Sequence, residues 1–213
     1  MLLLKERELI QEYGKMLITR GLTTGSGGNL SLFNREKGLI AITPSGMDYF
    51  EIELEDILVM DINGEIVDGF RKASSETGMH LEFYKHREDI NSVVHTHSIY
   101  ATAIACMGWD LEPVHYMIGL AGVDVKCADY AIYGSMELAH NAIKATGDRN
   151  AVLLGNHGLI ALGPSLEDAF STAEHLEYVA HLQYLTKSMG EPKFLSQEQM
   201  IEVMKKFKTY KYK

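Results

Sequence analysis

The chain has 213 residues, is 46% hydrophobic and 23% charged, and carries a formal net charge of −9. That length buries a sizeable core and fits one α/β domain over 1–213, while the acidic balance repels a nucleic-acid backbone or an anionic membrane surface. A small anionic substrate stays open, because backbone N–H groups and a metal can hold a phosphate locally. No apolar run approaches the roughly 20 residues of a membrane span, and the apolar start of MLLLKERELI is too short for a signal peptide. Cys106 and Cys127 form neither a CxxC pair nor a disulfide framework, so a cytoplasmic protein with two buried cysteines is expected.

Residues 4–20 place Leu9, Ile10, Tyr13, Met16 and Leu17 at helical spacing, with Gly21 after them as a stop. GSGGNLSLF (25–33) and GLIAITPSG (38–46) read as a hairpin, and ILVMDINGEIVDG (57–69) as another around Asn63-Gly64. Ser74 or Ser75 caps a helix running to about Arg87. SVVHTHS (92–98) is a strand, IYATAIACMG (99–108) a helix, and VHYMIG (114–119) and VDVKCADY (123–130) further strands. A helix over 136–146 ends at Gly147, and AVLLGNHGLIALG (151–163) holds two apolar runs around a Gly-Asn-His-Gly turn. Ser165 and Asp168 open a long helix that ends at Gly190, and Ser196 with Gln199 opens the last. Helices alternating with hairpins predict a layered α/β fold with a largely antiparallel sheet.

In a strand, residues i and i+2 share a face, so His95 and His97 present two imidazoles side by side. Either they share a metal ion or they are two hydrogen-bonded histidines at a strand end. His157, in a turn between Gly155 and Gly158, offers a third imidazole, and three histidines with an open fourth position are the pattern of a catalytic zinc site. The remaining histidines, at 80, 86, 115, 140, 175 and 181, read as ordinary surface or core residues. SGGN (26–29), TPSG (43–46) and ASSE (73–76) are turns and a helix start whose hydroxyls and N–H groups suit an anion. Glu76, in the last of these, is either a base or a carboxylate answering the helix dipole.

SGGN, TPSG, SSE, HTH, HYM and NHG, in this order and at these separations, resemble the class II, zinc-dependent aldolases of the fuculose-1-phosphate aldolase family along nearly the whole chain, as far as KFKTY (206–210). The resemblance implies a three-layer αβα fold of the class II aldolase/adducin kind. It implies that His95, His97 and His157 ligate Zn2+, that Glu76 is the acid/base and a metal ligand when substrate is absent, and that Ser26, Gly28, Asn29, Ser45, Gly46, Ser74 and Ser75 hold a phosphate. It further implies that Tyr116, and with it Tyr210, approaches a neighbouring subunit's site in a homotetramer with active sites at the interfaces. Tyr133 stands where the fuculose-phosphate enzyme has a phenylalanine beside the aldehyde part of its substrate.

The implied reaction is reversible cleavage of L-fuculose 1-phosphate, or a similar ketose 1-phosphate, to dihydroxyacetone phosphate and L-lactaldehyde. Close relatives of this family cleave 5-deoxy- or methylthio-pentulose 1-phosphates. Pentulose-phosphate epimerases carry Ser-Ser-Asp where this chain has Ser74-Ser75-Glu76, which favours the aldolase; dehydratases share the fold and the histidines. The adducin head is a structural relative without chemistry, and retention of all three histidines and Glu76 argues against that role here.

Overall fold

A computed structural model describes residues 1–210 and, of Tyr210, the backbone only. The amphipathic start forms α1 (Leu4–Thr19), followed by β1 (Asn29–Asn34) and β2 (Leu39–Ile42), β3 (Leu58–Asp61) and β4 (Ile66–Asp68). Then come α2 (Thr77–His86), β5 (Ser92–Thr96), α3 (Ile99–Cys106), β6 (Cys127–Ala128), α4 (Met136–Thr146), β7 (Ala151–Leu154), β8 (Gly158–Gly163), α5 (Leu166–Met189) and α6 (Gln197–Tyr210). The strands form one eight-stranded sheet in the order β4-β3-β2-β1-β5-β8-β7-β6, in which only β6 and β7 run parallel.

Strand alternation builds the layers. Leu30, Val59, Val94 and Leu159 face one way and pack with Ile10 of α1, Ile104 of α3 and Leu176 of α5. Ile40, Met60, Val93 and Ile160 face the other way and meet Phe83 of α2 and Leu138 of α4. Each such buried side chain stabilises the fold by roughly 1.5–3 kcal/mol. This is the three-layer αβα arrangement expected of the sequence, with a mostly antiparallel sheet. Among the described residues no helix is long and apolar enough to cross a membrane.

Several local expectations give way. Residues 114–119 form no strand: Tyr116–Leu120 is a 3-10 turn, its start held by the Met117 N–H donating to His115 Nδ1, with Gly119 packed close under α6. Of 123–130 only Cys127–Ala128 joins the sheet, while Val125 bridges Leu111. The cap of α2 is Glu76 rather than Ser74 or Ser75; Ser74 instead forms the turn before it, accepting the Glu76 N–H at its hydroxyl (3.3 Å). Cys106 is exposed and Cys127 half-buried, so neither is the fully buried residue the sequence suggested. The Ser196/Gln199 box does close reciprocally, at 2.8 and 3.3 Å, and the Asn63-Gly64 hairpin forms with Gly64 at φ 89°.

Candidate active site

The strand ends at one end of the sheet centre carry the site. β1 begins at Asn29, paired with His95, where β5 is about to end; β2 has ended at Ile42, and the β7–β8 turn returns to the same level. Two constraints bring the backbone this close. Gly28 sits at φ 71° with its α-carbon so near the His95 carbonyl that a β-carbon would lie 2.6 Å from the oxygen. Asn156 takes a left-handed φ of 54° in the turn that projects His157.

His95 lies in β5, fully buried, and His97 one residue past the strand's end, where one side is open to the cleft. The ring centroids of His95, His97 and His157 are 4.7–5.2 Å apart, and their candidate ligand nitrogens all fall within 4.8 Å of one another. Nδ1 of His95 is 3.1 Å from the Leu159 carbonyl, which can only accept, so that nitrogen carries a proton and Nε2 is the atom turned into the cleft, open to a cation or, without one, to a second proton. That Nε2 is 2.9 Å from His97 Nε2 and 3.1 Å from Glu76 Oε2.

Burial alone would raise the Glu76 carboxyl, but His95, then His157 and the Asn29 amide, outweigh it and hold Glu76 well below the usual carboxylate range. On His95 burial opposes a charge and the Glu76 carboxylate more than offsets it, raising its pKa. Burial, joined by repulsion from a charged His95, pushes His97 and His157 down to about 4, so both offer neutral lone pairs. Glu76 Oε1 is buried, has no hydrogen-bond partner, and lies 3.4 Å from His157 Nε2. Electron-rich atoms face one another here with one buried oxygen unsatisfied, which is what a bound cation corrects. Three imidazoles and a carboxylate fit a zinc-type ion as a donor set.

All seven residues expected at a phosphate line a cleft of about 360 Å³ beside these groups. They come from three turns, Ser26, Gly28 and Asn29 before β1, Ser45 and Gly46 after β2, and Ser74 and Ser75 before α2. The N–H groups of Ser45 and Ser74 are already donated to the Lys72 and Thr43 carbonyls, so these two serines offer a ligand their hydroxyls rather than their amides. Among the described residues no lysine or arginine lines the cleft.

Tyr133 lines the same cleft, as expected, and is 65% exposed; Tyr130 and Asn156 line it too and went unnoticed in the sequence. Asn156 could have been found, since an asparagine in a Gly-x-His-Gly turn is a ready left-handed residue. Tyr116 is elsewhere: it is exposed on the 3-10 turn, its ring 6.1 Å from that of Phe207, in a separate cleft with Met117, His175 and Val203. The Tyr210 side chain lies outside the described residues.

A three-layer fold with a mostly antiparallel sheet, bearing a histidine trio and a buried glutamate at its strand ends, defines a class. A family model described as Class II Aldolase and Adducin N-terminal domain matches residues 8–184. The chain belongs to the class II aldolase family and is an aldolase, an enzyme of the aldehyde-lyase kind. More particularly, it is 52% identical over 210 residues, 99% of both chains, to a 5-deoxy-D-ribulose 1-phosphate aldolase of Bacillus thuringiensis serovar kurstaki. The L-fuculose phosphate aldolase of Escherichia coli K12 is 38% identical over 192 residues, 89% of this chain and 88% of the relative. A solved structure of an L-fuculose 1-phosphate aldolase superposes with a TM-score of 0.94 at 50% identity, covering 96% of each chain.

Proposed function

We propose that this aldolase cleaves a methyl-terminated deoxyketose 1-phosphate between C3 and C4, releasing dihydroxyacetone phosphate and a short aldehyde, with zinc as its metal. The observation that carries the proposal is the buried Glu76 carboxylate, ionised and pointing an unpartnered oxygen at the histidine trio beside a cleft walled with neutral anion-binding groups. His95, His97 and His157 hold the metal, with Glu76 a fourth ligand when substrate is absent. Bound there, zinc would supply Lewis-acid stabilisation of the negative charge left on the C2 and C3 oxygens.

The chain's own groups do the rest. The hydroxyls of Ser26, Ser45, Ser74 and Ser75, with Gly28, Gly46 and Asn29, fix the phosphate and so align the reacting carbons. Glu76 delivers a proton to C3 of the enediolate in cleavage and removes it in synthesis. Tyr116, from a neighbouring copy in a homotetramer, accepts the C4 hydroxyl proton as the aldehyde leaves, and Tyr210 approaches the same site. The separate cleft in which Tyr116 sits supports this, because within one chain the tyrosine does not line the histidine cleft. One domain over the whole chain and a cytoplasmic setting belong to the same proposal; unpaired Cys106 and Cys127 support the latter.

5-Deoxyribulose 1-phosphate, giving acetaldehyde, is the substrate best supported, by 52% identity over essentially both chains to an enzyme of that name. L-Fuculose 1-phosphate, giving L-lactaldehyde, is the second reading, supported by the 50% identical structure. The two aldehydes differ by one CHOH unit, and Tyr133 and Tyr130 line the cleft where that unit could be sensed. The test incubates zinc-loaded protein with both sugars and 5-methylthioribulose 1-phosphate and assays dihydroxyacetone phosphate. The highest kcat/KM is expected for 5-deoxyribulose 1-phosphate; product from none of the three removes the proposal.

A further inference from the structure

Behind Glu76 and Asn29 lie three further buried polar groups, Ser31, His80 and Tyr84, that neither the metal nor the phosphate uses. β1 presents Asn29 and Ser31 on one face, two residues apart; α2 presents Glu76 at its cap, then His80 and Tyr84 at four-residue steps on one side. The two rows mesh. Asn29 Nδ2 donates to Glu76 Oε2 at 2.9 Å, and Asn29 Oδ1 lies 2.6 Å from His80 Nε2. Ser31 Oγ is 2.6 Å from His80 Nδ1 and 2.6 Å from the Tyr84 hydroxyl. His80 and Ser31 are wholly inaccessible to solvent, and Asn29, Glu76 and Tyr84 nearly so.

Every direction in this run is fixed by its first member. A carboxylate only accepts, so the Asn29 amide nitrogen faces it and the amide oxygen faces His80. His80 Nε2 must then carry the proton. Burial pushes His80 down to about 3, so the ring is neutral and its Nδ1 accepts from the Ser31 hydroxyl. Ser31 accepts in turn from the Tyr84 hydroxyl. Donation therefore runs one way, from Tyr84 through Ser31, His80 and Asn29 to Glu76, and aligned bonds of this kind polarise one another.

We infer that His80 is a positioning residue for the proton-transferring carboxylate: its Nε2–H locks the Asn29 amide in the one orientation that donates to Glu76 Oε2, leaving Oε1 aimed into the cleft. A reversed Asn29 amide would set its oxygen against the carboxylate, disfavouring the ionised form and turning Glu76 away from C3. The His80 ring is not among the residues lining the cleft, and the hydrogen bonds of its two nitrogens run to Asn29 and Ser31, so its hydrogen-bonded route to Glu76 passes through Asn29.

This inference rests on the proposed aldol reaction, and its test isolates the step assigned to Glu76. Zinc-loaded protein is given dihydroxyacetone phosphate alone in D2O, and exchange of the C3 hydrogen is followed by NMR. His80→Gln puts an amide N–H where Nε2 was and keeps donation to Asn29; His80→Asn reaches Ser31 but not Asn29. A purely structural role predicts equal rates for two polar residues smaller than histidine. Positioning predicts exchange within about tenfold of the unaltered protein for His80→Gln and at least about 100-fold slower for His80→Asn, at equal zinc content and with KM for dihydroxyacetone phosphate little changed. Equal rates for the two variants overturn the inference and leave the aldolase reading standing; no exchange by the unaltered protein overturns the role of Glu76 itself. Should a variant fail to fold, the 15N shifts of His80 in the unaltered protein decide. The Nε2–H form is expected, and the Nδ1–H form overturns the inference.

Discussion

Two clefts of this chain differ in a way that explains its chemistry. The one beside the histidines is polar, walled by serines, glycines and asparagine, and brings the Glu76 carboxylate, the imidazoles and the serine hydroxyls together within one chain. The one around Tyr116 is larger, about 740 Å³, and mostly apolar, lined by Met117, Leu120, Val203 and Phe207. The first looks finished in one copy; the second offers a phenol and exposed apolar surface but neither of those ligands. The proposed function divides along the same line: the groups assigned to the phosphorylated ketose come from one chain, and the hydroxyl assigned to the aldehyde side comes from a second copy.

The sharpest break of this contrast is removal of the metal. Chelation is expected to abolish cleavage and added zinc to restore it; full activity in verified metal-free protein would sink the assignment of the first cleft. Next comes Glu76→Gln, expected to retain zinc and the phosphate yet lose about 10²–10⁴ in kcat. Tyr116→Phe should slow cleavage by about 10–100-fold with the assembly intact. Mixing those two impaired variants makes the comparison quantitative. If Tyr116 serves a neighbour, hybrids regain activity at roughly a quarter of their sites, and no recovery would show that it does not act across subunits.

A smaller effect concerns acid. In metal-free protein His97 and His157 are held near 4 and His80 near 3, below the ordinary 6.5. Between those values and 6.5 the unfolded chain binds the extra protons, so stability is fullest above about pH 6.5 and falls as the pH drops through that window. His95, whose pKa is raised, works in the opposite sense. The urea midpoint should therefore fall from pH 7.5 to pH 5; a midpoint that rises would show that His95 dominates. Smallest is Tyr133→Phe, expected to shift the ratio of kcat/KM between the two candidate sugars only a few-fold, since the hydroxyl sits on an exposed ring.

Much of this was legible because periodicity reports which face a residue shares. The helices at both ends, the hairpins and the layered sheet followed from apolar spacing and from turn chemistry such as Asn63-Gly64. His95, His97 and His157 could be grouped because a strand end and a glycine-flanked turn project side chains simply. His80 was passed over because its significance lies in meshing with Asn29 and Ser31, a contact between a helix and a strand 51 residues apart that no local pattern announces. The segment 114–119 misled for the opposite reason. Its apolar content suits a strand, yet Gly119 and Ile118 are claimed by packing against α6 and the core, which no single-segment reading contains.

The outermost strands carry a last consequence. β4 is three residues long and β6 two, and the last residue of β4, Asp68, is occupied by the Leu2 N–H at 2.8 Å and the buried Arg7 guanidinium at 2.9 Å. Stubby, charge-guarded rims give another chain little ladder to extend, which disfavours runaway fibrous stacking. Helices and loops, rather than strand edges, are the surfaces that the proposed tetramer would have to use.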